Sequence, residues 1–146
     1  MIKVVEVDLA SNSRALNSIV QMHLECFRAS ELHPDQFSKG YWWIAFDGGE
    51  PVGFAGITQS VRWGDAGYLC RSGVVEGVRG QGLQKRLIAA RLAKARRVGW
   101  NWVITDTRRN PASANSLINC GFKMYQPAVP WGMKDACYWR KRVAHG

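Results

Sequence analysis

The stretch that decides the fold reads Ser72-Gly73-Val74-Val75-Glu76-Gly77-Val78-Arg79-Gly80-Gln81-Gly82-Leu83-Gln84. Before it, Ala66 to Val75 reads as a strand. After it, from Gly82, the period turns helical: Leu83, Leu87, Ile88, Leu92, Ala95 and Val98 fall on one half of a wheel. Gly99 supplies a C-terminal stop. Arg91 projects from within the apolar arc, against the pattern. A strand, a glycine-rich turn and a helix therefore meet here. Glycines allow a tight turn and close approach of backbone to a ligand. The exposed N–H groups of a helix start favour an anion by about 0.3–1 kcal/mol, and Arg79 adds a formal charge. Read alone, the stretch is a diphosphate cradle or a turn that only reverses the chain. It matches neither the dinucleotide G-x-G-x-x-G nor the G-x-x-x-x-G-K-[ST] of nucleotide hydrolases.

Working outward, Ile2 to Val7 alternates as a strand does. Ser11 or Ser13 can cap a helix bearing Leu16, Ile19, Val20, His23, Leu24 and Phe27. Tyr41 to Phe46 and Pro51 to Thr58 flank Asp47-Gly48-Gly49-Glu50 and form a hairpin. Asn101 to Thr105 reads as a short buried strand. Asn110 caps a helix that has Pro111 at its first position and runs to Cys120, with Gly121 as its stop. Phe122–Gln126 and Ala136–Val143 are the last strands, joined by an irregular link holding Pro127, Pro130 and Gly132. The order β, α, β, β, β, α, β, α, β, β predicts one α/β (α+β) domain over residues 1–146 with a mixed sheet.

Composition sets the outer bounds. The chain has 146 residues, 47% of them hydrophobic and 21% charged, which excludes disorder and coiled coil. No apolar run approaches the ~20 residues of a membrane span, and Met1 to Asp8 carries acids unlike a secretory leader. A soluble, cytoplasmic protein is expected. Cys26, Cys70, Cys120 and Cys137 lack zinc-site spacing and read as reduced thiols. The net charge is +9. From Arg79 to Arg109 there are nine basic residues against one acid, Asp106, whereas the rest is close to balance. Such a field attracts phosphates, nucleic acid or acidic surfaces, or it is a solvated helix face.

Two motifs in order carry a family resemblance. Val74 with Arg79-Gly80-Gln81-Gly82-Leu83-Gln84 resembles the R/Q-x-x-G-x-G/A pyrophosphate loop of the GNAT acetyltransferase superfamily, although Gln84 stands where glycine or alanine is commoner. Asn110-Pro111-Ala112-Ser113 through Gly121-Phe122 resembles its N-x-x-A/S…G-F helix. The resemblance implies a GNAT-like, mostly antiparallel sheet with a splayed parallel strand pair and flanking helices. It implies acetyl-CoA, or another acyl-CoA, as cofactor. Backbone groups of Ser72, Gly73 and Val74 would pair with the pantetheine arm. N–H groups of Arg79, Gly80, Gln81, Gly82, Leu83 and Gln84 would hold the pyrophosphate. Asn110 and Ser113 would lie near the thioester.

The same resemblance implies direct attack by an amine on the thioester, with a base and an acid moving protons. Many members carry a tyrosine acid seven residues after the asparagine; here that residue is Leu117. Some carry a glutamate base five residues before it; here that residue is Thr105. A thiol of pKa about 8.5 leaves near neutral pH without an obligatory acid. A lysine of pKa about 10.4 costs roughly 4–5 kcal/mol to neutralise at pH 7, an α-amine only about 1–1.5. A low-pKa amine, or a base placed elsewhere, is therefore expected. Candidate bases are Asp106, Asp65 and Glu76, with Asp106 nearest the expected chemistry although it can also pair with Arg108. Tyr125 and Tyr68 are candidate acids. Trp131, Tyr125 and the stretch around His33 are expected to wall the acceptor site. The expected partners are acetyl-CoA and an amine acceptor, small molecule or peptide N-terminus, with no membrane, nucleic acid disfavoured and a homodimer left open. The alternatives are a CoA-binding protein weak in catalysis and a basic nucleic-acid-binding module.

Overall fold

The computed structural model describes residues 1–27 and 37–144; the expected wall around His33 falls outside them. The elements are β1 (Ile2–Val7), α1 (Ser13–Cys26), β2 (Tyr41–Asp47), β3 (Glu50–Gln59), β4 (Ala66–Val74), α2 (Leu83–Val98), β5 (Trp102–Thr107), α3 (Pro111–Asn119), β6 (Lys123–Tyr125) and β7 (Cys137–Arg142). A short 3-10 turn, Glu76–Val78, stands between β4 and α2. The seven strands form one sheet in the order β1-β2-β3-β4-β5-β7-β6. All pairs are antiparallel except β4 with β5.

Alternation along the strands feeds two apolar layers. On one face Leu83, Leu87, Leu92 and Leu117 of the helices pack on Trp43, Ala55, Leu69 and Val103. On the other, Ala15, Ile19 and Met22 of α1 pack on Trp42, Ile44 and Phe54. The α1 cap is Asn12, rather than Ser11 or Ser13: its side chain accepts from the Ala15 amide at 2.9 Å. The buried stripe of α1 is Ala15, Ile19, Met22 and His23, which leaves Leu24 exposed. At the end of α2, Gly99 takes φ +98° and its amide returns to the Ala95 carbonyl.

One irregularity shapes the molecule's centre. Ala55 pairs with Ser72 and Ile57 with Leu69, so Cys70 and Arg71 together oppose Gly56. Such a bulge bends its strand. Gly56 is required beside it, because a Cβ there would lie 2.7 Å from the Trp42 ring and 2.8 Å from the Cys70 sulfur. Beyond the bulge β4 leaves β5: their pairing is confined to Ala66–Tyr68 against Trp102–Ile104.

Arg91 is explained at the same place. It is 2% exposed, its Nε donating to the Leu87 carbonyl and its Nη1 to the Gly56 carbonyl. The basic segment as a whole is largely engaged. Lys94 and Arg97 pair with Glu6, and Arg86 donates to the Ile2 carbonyl. Arg108 and Arg109 both pair with Asp135. Chain-local charge therefore overstates the field at the surface, because the compensating acids come from β1 and from the link before β7.

Candidate functional site

The parting of β4 from β5 opens a cavity of about 730 Å³ that passes between the two strands. Gln84 and Ile88 of α2, with Asn110, Ser113 and Leu117 of α3, wall it on one side. Tyr68, Cys70 and Ser72 of β4, with Thr105 and Asp106 of β5, form its flanks. Phe27, Lys39, Thr58 and Met133 close it from the other face.

Of the glycine turn and the helix start that follows it, Gln84 lines this cavity. Gly80 and Gly82 take φ +82° and +77°, left-handed values that glycine adopts without strain. No side chain caps α2 at Gly82, so its first amides remain available to a ligand. A Cβ at Gly80 would meet nothing within 4 Å, so the space beside the turn at Gly80 is open. The Arg79 guanidinium turns back onto β4, Nε donating to the Val74 carbonyl at 2.9 Å. The Cys26 thiol approaches the same carbonyl at 3.7 Å. The Val74 carbonyl is thus engaged within the chain, and Ser72 is the residue of the expected strand edge that reaches the cavity wall. Leu83 buries its side chain and offers only backbone.

At the head of α3, the Asn110 side chain accepts from the Ser113 amide at 3.1 Å. Cap and cavity wall are therefore one feature. Leu117 and Thr105 are the positions at which the resemblance implies an acid in many members and a base in some. Leu117 is buried, and the Thr105 hydroxyl donates to the Leu69 carbonyl at 3.0 Å, closing the ladder just past the last β4–β5 pair.

Asp106 reaches the cavity. Its partner is not Arg108, which bonds Asp135, but Tyr68, whose hydroxyl donates to Oδ1 at 2.8 Å. Burial, reinforced by the adjacent Asp106 charge, pushes the Tyr68 phenol well above its ordinary range and keeps it a donor. Asp65 is occupied elsewhere, accepting from the Asn101 side chain and backbone. Tyr125 lies farther out on β6, paired with Tyr138, which in turn pairs with Asp106. The Arg140 guanidinium covers its ring at 4.8 Å, and it does not line the cavity. Trp131 is half-buried, with its ring edge-to-face on Tyr68 and Tyr138. Burial raises the Cys26 and Cys120 thiols and pushes Cys70 up to about 11. None is poised as a nucleophile.

Sequence reasoning missed Phe27, Lys39, Thr58 and Met133, which arrive from four distant segments without a local signal. It also missed the function of Arg91, for which the signal was its place inside an apolar arc.

The family model described as Acetyltransferase (GNAT) family matches residues 16–122. No curated relative matches the sequence. Among solved structures, the ribosomal-protein-S18-alanine N-acetyltransferase of Escherichia coli superposes with a TM-score of 0.78 at 15% identity, over 100% of this chain and 96% of that one. An acetyltransferase from Bacillus subtilis in complex with CoA gives 0.75 at 13% identity, over 97% and 99%. The IAA acetyltransferase of Bacillus cereus gives 0.71 at 14%, over 97% and 99%. At these identities the likeness is one of fold.

Proposed function

The chain belongs to the acetyltransferase (GNAT) family, and from that premise we propose how its own residues perform acyl transfer from acetyl-CoA to an amine. The observation that carries the reading is the parting of β4 from β5 beside an open glycine turn that leads into an uncapped helix. The residues fit the cosubstrate. The backbone from Arg79 to Gln84 would hold the pyrophosphate, Ser72 and Gly73 the pantetheine arm, and Asn110 and Ser113 the neighbourhood of the thioester. Acetyl-CoA supplies an activated acyl group.

Asp106 is the proposed base. It stands on the cavity wall on the face opposite α2 and α3, held by Tyr68. From there its carboxylate takes the proton released as the amine nitrogen bonds to the thioester carbon. The departing thiolate needs no acid near neutral pH, which fits Leu117 at the usual tyrosine position. Tyr125 and Trp131 would shape the approach of the acceptor. An acceptor with a low-pKa amine, a small molecule or a peptide N-terminus, suits a carboxylate base better than a lysine does. Four unpaired thiols suit a reducing cytoplasm. The test is calorimetry with acetyl-CoA followed by product detection on a panel of small amines and peptides. Saturable binding with transfer to an α-amine is expected, and absence of binding would refute the reading.

A second reading has its own support. Thr105 and Leu117 cannot titrate, so a CoA-binding protein weak in catalysis remains the alternative. Binding without turnover across the panel would select it.

A further inference from the structure

Arg91 is the only buried Lys, Arg, Asp or Glu among the described residues. Its two hydrogen bonds go to carbonyls, Leu87 at 3.1 Å and Gly56 at 3.2 Å. A guanidinium offers five N–H donors, so these bonds leave donors over. Among the described residues no carboxylate pairs with it. The charges felt by Arg91 are those of the Cys70 and Cys120 thiols, both of which burial holds towards the protonated form. Burial lowers Arg91 itself to about 10, so it is still a cation at neutral pH. A buried charge without a counter-charge is costly unless something supplies one.

What faces it is the cavity. Arg91 lines the wall together with Leu69, Thr105 and Leu117, where β4 and β5 part. On the proposed function, this is the region that receives the acyl end of the thioester. We infer that the cavity accepts, beside acetyl, a short acyl chain ending in a carboxylate, of the malonyl or succinyl class, with Arg91 as its counter-charge. The inference rests on the acyl-CoA reading and extends it to the acyl group. The transfer itself is unchanged. A bond forms between amine nitrogen and acyl carbon, the carbon–sulfur bond breaks, and CoA leaves as thiolate. The amine proton passes to Asp106, and the terminal carboxylate stays ionised throughout.

A purely structural Arg91, tied to the carbonyl opposite the bulge, predicts no selectivity for the chain end. The experiment is calorimetry of the full chain with succinyl-CoA and butyryl-CoA, which share chain length and differ in terminal charge. A hydrogen-bonded charged pair predicts that succinyl-CoA binds at least about tenfold more tightly. Arg91→Met should abolish that ratio and Arg91→Lys should keep part of it. Equal or weaker binding of succinyl-CoA by the unaltered protein overturns the inference, whether or not the variants fold. Acetyl-CoA binding in the same experiment separates the two failures. If it is present without a chain-end preference, only this inference falls. If no thioester binds at all, the acyl-CoA reading falls with it.

Discussion

The Tyr68 hydroxyl donates a 2.8 Å hydrogen bond to Oδ1 of Asp106 across the point where β4 and β5 separate. Tyr68 belongs to the last paired position of the two strands, opposite Ile104, and Asp106 lies two residues farther along β5 on the same face. The bond fixes the carboxylate at the mouth of the opening. The phenol, its ionisation suppressed by burial and by the neighbouring charge, remains a donor across the working pH range.

Replacing that carboxylate should separate chemistry from binding. Asp106→Asn keeps shape and polarity but cannot accept a proton. A general base is worth about 10²–10⁴-fold, so kcat should fall by about that factor while acetyl-CoA affinity holds. Tyr68→Phe should cost less, because the carboxylate stays. Steady-state kinetics with calorimetry measure both, and an Asn variant within threefold of the unaltered rate would remove Asp106 from the mechanism.

The glycine turn makes a sharper contrast. Gly82→Ala forces a side chain into φ +77°, which costs about 1–2 kcal/mol. That strain falls on the amides proposed to meet the pyrophosphate, so CoA affinity should fall about tenfold. Gly77→Ala adds a Cβ where nothing lies within 4 Å and φ is not left-handed, so it should leave affinity unchanged. Equal effects at both positions would mean that the turn is not the binding element.

Much of this architecture is legible in local sequence, and the reason is physical. Asn110-Pro111 and Gly99 act through caps that involve only neighbouring residues, so the ends of α2 and α3 read directly. The order of all ten elements follows from periodicity for the same reason. Asp106 was equally visible, but its partner was not. Arg108 is two residues away in sequence, whereas Tyr68 is brought up by a parallel pairing 38 residues distant. Arg91 could not be understood before the β4 bulge was seen, because the carbonyl it bonds belongs to β3. The charge of the basic segment misled likewise: Glu6, which pairs with Lys94 and Arg97 of α2, and Asp135, which pairs with Arg108 and Arg109 after β5, lie far from them in the chain.

Asp135 gives the third prediction. Arg108 and Arg109 follow β5, and Asp135 lies in the link that leads to β7. Their ion pairs hold that link, with Trp131 and Met133, against the cavity mouth. Arg109, whose φ is a left-handed +50°, pairs through its Nε. The hydrogen bond from Arg108 holds the Asp135 carboxyl below its usual range. Asp135→Ala should therefore raise the acceptor KM several-fold with little change in kcat or CoA affinity. Kinetics with the acceptor varied at saturating acetyl-CoA would show the split, and an unchanged KM would count against a role for the link in acceptor binding.

Cys70 gives a test by pH. Burial lifts its thiol from the ordinary 9.0 to about 11. Between these values the folded protein retains a proton that the unfolded chain has released. The unfolded state then binds fewer protons, and stability must fall as pH rises. The contribution is whole below pH 9 and is lost as pH rises towards 11, a loss of at most about 2–3 kcal/mol. Arg91 acts in the opposite sense, because burial lowers it to about 10 and the folded state gives up its proton first. The informative quantity is thus the difference between the unaltered protein and Cys70→Ser in urea unfolding at pH 8 and pH 11. A constant offset reports the cost of a buried hydroxyl. A gap that narrows towards alkaline pH reports the thiol, and a gap independent of pH would show that Cys70 ionises as freely in the folded protein as in the unfolded chain.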